Sequence, residues 1–309
     1  MAHRLLVLGW HNIDPTPGFP DPPGAGRVGF ARQLAMLARF ATVIPLRRAL
    51  DLVEANEPLP PRAVALTFDD GYRDNLELGV GMLARHRLPA TFFLVPGFLS
   101  GTVPAWWEDL AAGFDDTTVA SWEWNGRRFD LSDPTARQAA HGAVRASVKR
   151  LDHARRVETV AAITDRLRTR PSTGPGLFMD WTGARALLAA GHEIGSHTAS
   201  HAILARESVE AQTAEMADAR RDLESGLGVP VDTLAYPNGT AGDYSEQTCA
   251  AAASLGYRAA ITTRAGLASR ADPPYEMRRV VVTPTTDLRS VAAKGWRKAR
   301  TLLRRTVSS

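Results

Sequence analysis

Residues 63–71 read AVALTFDDG, an apolar run that leads directly into two adjacent carboxylates and a glycine. A short run that is almost entirely apolar is typical of a parallel strand covered on both faces. Functional sites of parallel α/β folds assemble at the carboxyl ends of their strands. At such a point Asp69 and Asp70 repel one another unless a cation or a proton lies between them. The stretch therefore indicates either a cation site or an Asp-Asp-Gly turn that caps the next helix.

Short apolar segments alternate with helical patterns on both sides of this stretch. A repeated strand–helix alternation indicates an α/β fold with a parallel sheet, either doubly wound or closed into a barrel. We predict strands at residues 5–9, 42–45, 63–68, 91–95, 193–196, 233–236, 259–262 and 279–283. The intervening patterns predict helices at residues 30–40, 46–55, 74–86, 182–190, 208–227 and 245–255.

One long segment, residues 97–178, interrupts the alternation and separates two predicted strands by far more chain than a crossover helix needs. It holds a helical pattern at residues 135–170 and a linker-like stretch, PSTGP, at residues 171–175. It also contains a cluster of aromatic residues, namely Trp106, Trp107, Phe114, Trp122 and Trp124. We expect a helical insertion packed against the rim of a single domain, residues 1–287. Its aromatics then form a small local core, with a sugar-stacking surface as the alternative.

The composition excludes several classes of protein. The chain has 309 residues, of which 44% are hydrophobic and 23% are charged, as in an ordinary globular protein. Its longest apolar runs are far shorter than the ~20 residues needed to cross a bilayer. Because Cys249 is the sole cysteine, an intrachain disulfide and a cysteine-based zinc site are excluded. The first residues contain a short apolar run without a small-residue cleavage site, so we predict a cytoplasmic protein.

The net charge of +4 arises mainly from a basic C-terminal tail, residues 288–309. This tail has seven basic residues and no acidic ones, whereas the rest of the chain has a slight acidic excess. We therefore expect no nucleic-acid partner. Because Trp296, Leu302 and Leu303 are interleaved with the basic residues, the tail could lie on an anionic membrane as an amphipathic helix. A solvated terminal helix or a frayed end is the simpler interpretation.

A second motif, GHEIGSHTASH at residues 191–201, also includes a short apolar strand. His197 and His201 are four residues apart, so both rings can reach one metal ion. With one aspartate they form the ligand set of a catalytic divalent metal that keeps a position open for water. The second aspartate is then free to act as a base on that water. Zinc, cobalt, nickel and iron all accept two imidazoles and one carboxylate.

A third motif, LAYPNG at residues 234–239, follows another predicted strand. Proline followed by Asn-Gly is first of all typical of a tight turn. A backbone N–H presented by such a turn could also stabilise an oxyanion as it develops in a reaction.

Taken in this order, the three motifs resemble the polysaccharide deacetylase family, also called the NodB-homology group or carbohydrate esterase family 4. Further landmarks are WH at residues 10–11, PATFF at residues 89–93 and GYRAAITT at residues 256–263. The resemblance covers residues 5–100 and 178–283. It implies a distorted (β/α) barrel of about seven parallel strands. It also implies removal of N- or O-acetyl groups from sugars with a divalent metal, usually zinc.

The resemblance also implies roles for individual residues. Asp69 corresponds to the catalytic base, and the backbone N–H around Asn238 helps to stabilise the oxyanion. Tyr236 and Pro237 of the same motif correspond to substrate-binding positions. The implied metal ligands are Asp70, His197 and His201.

Two departures from the family pattern concern catalysis. The third motif commonly has an arginine that braces the base, and this chain has Ala235 at that position. Arg279 is our candidate for the missing brace, with Arg278 as the weaker choice. The family's last motif often supplies a histidine as general acid, but no histidine follows His201. We assign that role to His11, for which a purely structural role is the alternative.

We therefore predict a metal-dependent deacetylase acting on an N-acetylated sugar or glycan. An O-acetyl esterase or a deformylase of the same fold is one alternative. A barrel that has lost catalysis and only binds glycan is the other, because the expected arginine and histidine are missing from their motifs.

Overall fold

A computed structural model describes residues 4–169 and 176–290. The predicted linker at residues 171–175 and nearly all of the basic tail lie outside the described residues. The strands are β1 Arg4–Trp10, β2 Thr42–Val43, β3 Ala63–Phe68, β4 Thr91–Leu94, β5 Ser121–Trp124, β6 Arg127–Asp130, β7 Glu193–Ser196, β8 Thr233–Ala235, β9 Ala259–Ile261, β10 Ala268–Ser269 and β11 Val280–Val281.

Helices surround this sheet. They are α1 Ala25–Phe40, α2 Leu46–Glu54, α3 Gly81–Arg85, α4 Pro96–Leu99, α5 Trp106–Asp116, α6 Pro134–Val148, α7 His153–Arg166, α8 Trp181–Ala189, α9 Val209–Leu227 and α10 Glu246–Ser254. A π-helical turn at Asn75–Val80 precedes α3, and 3₁₀ turns occur at Leu204–Arg206 and Pro274–Glu276. Among the described residues, none of the helices has the length and apolar character needed to cross a bilayer.

Parallel pairing joins the central strands in the order β1-β3-β4-β7-β8-β9. The chain near β11 connects the two ends of this row. Met277 pairs with Ile261 of β9, and β11 pairs in parallel with Leu8 and Gly9 of β1. The sheet therefore curls into a distorted barrel of mostly parallel strands, which confirms the predicted fold class. The short strand β10 adds an antiparallel edge to β1.

The strands consist almost entirely of apolar residues because both faces of the sheet are covered. In β1, Leu6, Leu8 and Trp10 belong to the outer core, which α1 and other helices cover. Leu5 and Val7 belong to a second core cluster that includes Phe93 of β4. This alternation explains why almost every position of such a strand is hydrophobic.

Stacked aromatic rings underlie the carboxyl ends of the first strands. The ring of Phe68 lies 5.6 Å from that of Trp10 and 4.8 Å from that of Phe92. Trp10 also donates a hydrogen bond from its indole nitrogen to Gln33. Trp10 and Phe68 immediately precede His11 and Asp69, so rigid packing holds both positions from below.

The insertion differs from the predicted helical segment. The pattern at residues 135–170 forms two helices, α6 and α7, because Asp133 and Asp152 each accept backbone hydrogen bonds at a helix start. An antiparallel hairpin of β5 and β6, which we did not predict, lies before them. The expected local core is confirmed. Four of the aromatic residues, Trp106, Trp107, Phe114 and Trp122, are buried together with apolar residues of α5, α6 and α7.

Gly195 in β7 provides a test of barrel packing. It pairs with Phe93 of β4, and a Cβ atom at this position would overlap the Phe93 ring and lie 2.9 Å from Thr233 Oγ1. Gly195→Ala should therefore lower the free energy of unfolding by about 1–3 kcal/mol, as overpacking does. Chemical denaturation followed by circular dichroism measures this change.

The matched control is Gly142→Ala in the exposed part of α6, where a Cβ atom would meet no neighbour within 4 Å. Alanine is the better helix former, so this control should gain about 0.5–1 kcal/mol. Equal effects of the two substitutions on unfolding would contradict the packing described for the barrel.

Candidate active site

The carboxyl ends of the barrel strands deliver the predicted site residues to one end of the molecule. His11 follows β1, Asp69 and Asp70 follow β3, and His197 follows β7. The backbone N–H of Asp69 donates to the carbonyl of Trp10 at 2.9 Å, which joins the ends of β1 and β3. The structure thus brings together in space motifs that are well over a hundred residues apart in sequence.

Asp70, His197 and His201 form a buried cluster. Oδ1 of Asp70 lies 3.3 Å from Nε2 of His197 and 3.2 Å from Nε2 of His201. The candidate ligand atoms of all three residues lie within 4.8 Å of one another. Two imidazole nitrogens and one carboxylate oxygen at this spacing fit a single divalent metal ion.

Hydrogen bonds orient the ligand atoms toward this common point. Nδ1 of His197 lies 2.7 Å from the carbonyl oxygen of Ala235, so the N–H of that ring is used there and Nε2 is left to face Asp70. Oδ1 of Asp70 is buried and has no hydrogen-bond donor within the described residues. A buried carboxylate oxygen without a donor is the site that a cation would satisfy.

The backbone at the cluster adopts an uncommon conformation. Asp70, Thr198 and His201 have φ values of 70°, 64° and 60°, in the left-handed region. Non-glycine residues in this region carry strain that the surrounding structure must hold in place. Here these turns direct one carboxylate and two imidazoles into the same small volume.

Protonation of the cluster follows from burial and charge. Burial alone would raise the pKa of Asp70, but the neighbouring His201 and His197 lower it well below its usual value. Burial lowers the pKa of His201 to about 4 despite the nearby Asp70 carboxylate. His201 is therefore a neutral imidazole near pH 7, which is the form that binds metals.

Asp69, next to this cluster in sequence, pairs with Arg279. Its two carboxylate oxygens each lie 2.6 Å from a guanidinium nitrogen of Arg279, a bidentate pair in which the arginine is completely buried. Arg279 also donates to Thr67 Oγ1 at 3.1 Å. Burial would raise the pKa of Asp69, but the Arg279 charge and hydrogen bonds together with the nearby His197 and His11 bring it below its usual value. Gly9 leaves room for this arginine, because a Cβ there would lie 2.9 Å from Arg279 Cδ.

His11 lies on the open side of the same carboxylate. Its Nε2 atom is 4.0 Å from Oδ2 of Asp69, and 23% of its side chain is exposed. The imidazole ring stacks on Phe19 with ring centres 5.0 Å apart. Among the predicted titratable residues of the site, His11 is thus the most accessible to a substrate.

The turn after β8 contains the third motif. Asn238 and Gly239 have φ values of 59° and 65°, and the carbonyl of Asn238 accepts a hydrogen bond from Thr263 Oγ1 at 2.7 Å. Within the described part of the chain, the backbone N–H of Asn238 makes no hydrogen bond. It is therefore available to an acceptor on a bound molecule.

Tyr236, a predicted substrate-binding residue, packs into the core. Its side chain is fully buried and stacks on Tyr244 at 4.8 Å. Its hydroxyl donates to the carbonyl of Tyr275 at 3.1 Å. Burial raises the pKa of this hydroxyl. Tyr236 belongs to the core beneath the turn, and Pro237 beside it is also buried.

Side chains outside the predicted motifs also reach the site, and most of them belong to the insertion. The ring of Trp107 lies 4.5 Å from that of His201, and its indole nitrogen donates to Tyr72 Oη at 3.0 Å. Lys149, between α6 and α7, lies with Nζ 3.4 Å from Asn238 Oδ1. The aromatic cluster was the one sequence signal for Trp107, whereas Lys149 is a single charge in a charged helical pattern.

The sequence matches the family profile described as polysaccharide deacetylase over residues 56–260. A curated relative is YxkH of Bacillus subtilis (strain 168), which is named as a polysaccharide deacetylase. It is 22% identical over 245 residues, and the match covers 79% of this chain and 60% of YxkH. The chain thus spans less than two thirds of that relative's length.

Solved structures share the fold. The deacetylase PplD of Streptococcus pyogenes, determined in complex with acetate, matches with a TM-score of 0.65 and 17% identity over 96% of this chain and 99% of PplD. IcaB from Ammonifex degensii matches with a TM-score of 0.60 and 18% identity over 94% of this chain and 96% of IcaB. At this identity the likeness is one of architecture. The profile match covers more than half of the sequence, and the chain belongs to the polysaccharide deacetylase family.

Proposed function

We propose that the protein is a metal-dependent deacetylase that removes the N-acetyl group from an N-acetylated sugar or glycan. The observation that carries this proposal is that two adjacent carboxylates have different partners. Asp70 faces two imidazoles, whereas Asp69 faces Arg279 and lies next to His11. A ligand and a base side by side are what hydrolysis with an activated water requires.

Asp70, His197 and His201 would hold the metal. When bound, a divalent ion supplies Lewis acidity, which polarises a carbonyl and lowers the pKa of water. The ligand set fits zinc, and cobalt, nickel or iron are alternatives of similar ligand preference. The buried, donor-free oxygen of Asp70 supports this assignment.

The chain's own residues then account for the movement of protons. The low pKa of Asp69 keeps it ionised, so it can accept a proton from the attacking water. A C–O bond forms at the acetyl carbon, and the N–H of Asn238 can donate to the oxyanion. His11 in its protonated form gives a proton to the departing nitrogen as the C–N bond breaks. The products are acetate and the free amino sugar.

Asp69→Asn tests the assignment of the base. Asparagine keeps the size of the side chain but cannot accept the proton, so acetate release from N-acetylated sugars should fall by about 10²–10⁴-fold. Bound zinc, measured by elemental analysis, should remain as in the unaltered protein. The control is Asp218→Asn, an exposed carboxylate on α9 that should leave both readings unchanged. Full activity of the Asp69→Asn variant would remove the base from the mechanism.

Acetate release should also be compared between N-acetylated and O-acetylated sugars. Turnover of the O-acetylated sugars alone would replace the proposed amidase with an esterase of the same fold. Bound metal without release from either class would favour a glycan-binding barrel.

The buried pair of Asp69 and Arg279 makes a prediction for stability. Arg279→Met leaves a buried carboxylate without its partner, which should lower the free energy of unfolding by about 3–5 kcal/mol. In an Asp69→Asn background the same change should cost much less, because no charge is then left unpaired. Denaturation of the four metal-free proteins gives the coupling energy. Additive effects of the two substitutions would contradict the role of Arg279 as the brace of Asp69.

A further inference from the structure

Glu108, in the first turn of α5, has a fully buried carboxylate that the proposed reaction does not use. Its Oε1 atom accepts from Tyr72 Oη at 2.7 Å and from Thr16 Oγ1 at 2.8 Å. Its Oε2 atom accepts from the backbone N–H of Gly18 at 2.8 Å. Within the described residues no cationic side chain pairs with this carboxyl group, and its hydrogen-bond partners are two hydroxyls and one backbone N–H.

The three donors belong to two different walls of the site. Thr16 and Gly18 lie in the loop that follows His11, and Tyr72 follows Asp70 and Gly71. Burying a carboxylate is costly unless several donors satisfy it, and an apolar residue of similar size often gives equal stability. The arrangement is therefore better suited to fixing the relative positions of these segments than to stabilising the fold.

The loop at residues 16–19 connects Glu108 to His11. Reciprocal backbone hydrogen bonds of 3.1 Å join Thr16 and Phe19 and close residues 16–19 into a tight turn. Phe19 stacks on the His11 ring at 5.0 Å, with its edge toward Tyr72 at 6.1 Å. Glu108 thus binds both the turn that carries Phe19 and the Tyr72 ring on which the edge of Phe19 packs.

Close packing leaves this loop little freedom. A Cβ atom at Gly18 would lie 2.8 Å from Glu108 Cδ and 2.8 Å from Trp107 Cδ1. The loop therefore rests directly on α5 at the two residues that face the site. The Tyr72 hydroxyl accepts from the indole nitrogen of Trp107 at 3.0 Å and donates its own proton to Glu108.

We propose that Glu108 is a positioning residue of the insertion that fixes His11, through the loop at residues 16–19, for protonation of the departing amine. The proposal rests on the proposed function, in which His11 is the general acid. Through Glu108 the insertion would contribute to the protonation step. This contribution is separate from the metal-ligand set and from the base, Asp69.

The test uses Glu108→Gln in the zinc-loaded full chain. Glutamine has one acceptor oxygen, so it cannot accept from Gly18 and from the Tyr72 and Thr16 hydroxyls at once. The kcat for acetate release from an N-acetylated sugar should fall about tenfold, a part of what a general acid contributes. KM and bound zinc should change little. Hydrolysis of 4-nitrophenyl acetate should change less than twofold, because its leaving group needs no proton.

A double-mutant cycle with His11→Gln separates positioning from general damage. His11→Gln should itself give a loss confined to the N-acetylated sugar. If Glu108 acts through His11, adding Glu108→Gln to that variant should cost little more. Glu123→Gln, an exposed carboxylate in β5 of the same insertion, is the matched control and should leave all readings unchanged.

The outcomes distinguish this proposal from the proposed function. Equal losses on sugar and ester, or additive losses in the cycle, would overturn the positioning role. If His11→Gln shows no loss confined to the sugar, the general acid is wrong and the positioning role falls with it. If Glu108→Gln does not fold, Phe19→Leu provides a second test. It removes the stacking of Phe19 on His11 and should reproduce the tenfold, sugar-specific loss. A Phe19→Leu variant with normal activity would overturn the proposal.

Discussion

The arrangement of side chains in the candidate active site depends on the repulsion between two adjacent, buried carboxylates. Asp69 and Asp70 lie at the end of one strand with side chains that are 3% and 2% exposed. Neither could remain ionised there without an opposite charge or several donors. In this structure each carboxylate has its own partners: Asp69 pairs with the buried guanidinium of Arg279, and Asp70 lies beside two imidazoles. The backbone at Asp70 is in the left-handed conformation, with φ of 70°.

The partner of Asp69 and the partners of Asp70 lie on opposite sides of β3 in the closed sheet. Arg279 is delivered beside β1 by the segment that connects the two ends of the strand row, and Gly9 leaves space for its side chain. His197 and His201 follow β7, on the far side of β3 and β4. Closure of the barrel is therefore what places Arg279 against Asp69. A sheet left open between β9 and β1 would leave Asp69 without its cation.

The insertion is part of the site in this structure. Trp107 covers His201, Lys149 contacts the Asn238 turn, and Glu108 joins the loop after His11 to Tyr72. The backbone N–H of His153 also donates to Glu207 at 2.7 Å, close in sequence to the His201 loop. The insertion carries the weakest resemblance to the family, yet its side chains surround residues of the family motifs.

Much of the fold and the cluster of Asp70, His197 and His201 could be predicted from sequence because their signals are local. An apolar strand ending in Asp-Asp and a histidine pair four residues apart can each be recognised within a dozen residues. Arg279 was only a candidate, since its contact with Asp69 depends on a pairing of β1 with β11 across almost the whole chain. The burial of the Tyr236 ring was not foreseen either, because a motif does not show which side of the strand end a ring occupies.

The insertion could not be predicted in detail for a related reason. Its helical pattern continues across the break between α6 and α7, and the cap of α7 is a single aspartate among many charges. The positions of Lys149 and Glu108 depend on how this unit docks on the barrel, which is a matter of tertiary packing. Composition indicated a local core there, and the buried aromatic residues form one.

The most direct test of the account is X-ray absorption spectroscopy of the zinc-loaded protein. We expect a first shell of about two imidazole nitrogens with carboxylate or water oxygens, at the distances typical of zinc sites. His197→Ala should lose an imidazole or the metal itself, whereas His192→Ala should leave the spectrum unchanged. His192 lies before β7, outside the cluster, and is a matched control. A shell without imidazole, or one that His197→Ala does not alter, would contradict the convergence of these residues on one ion.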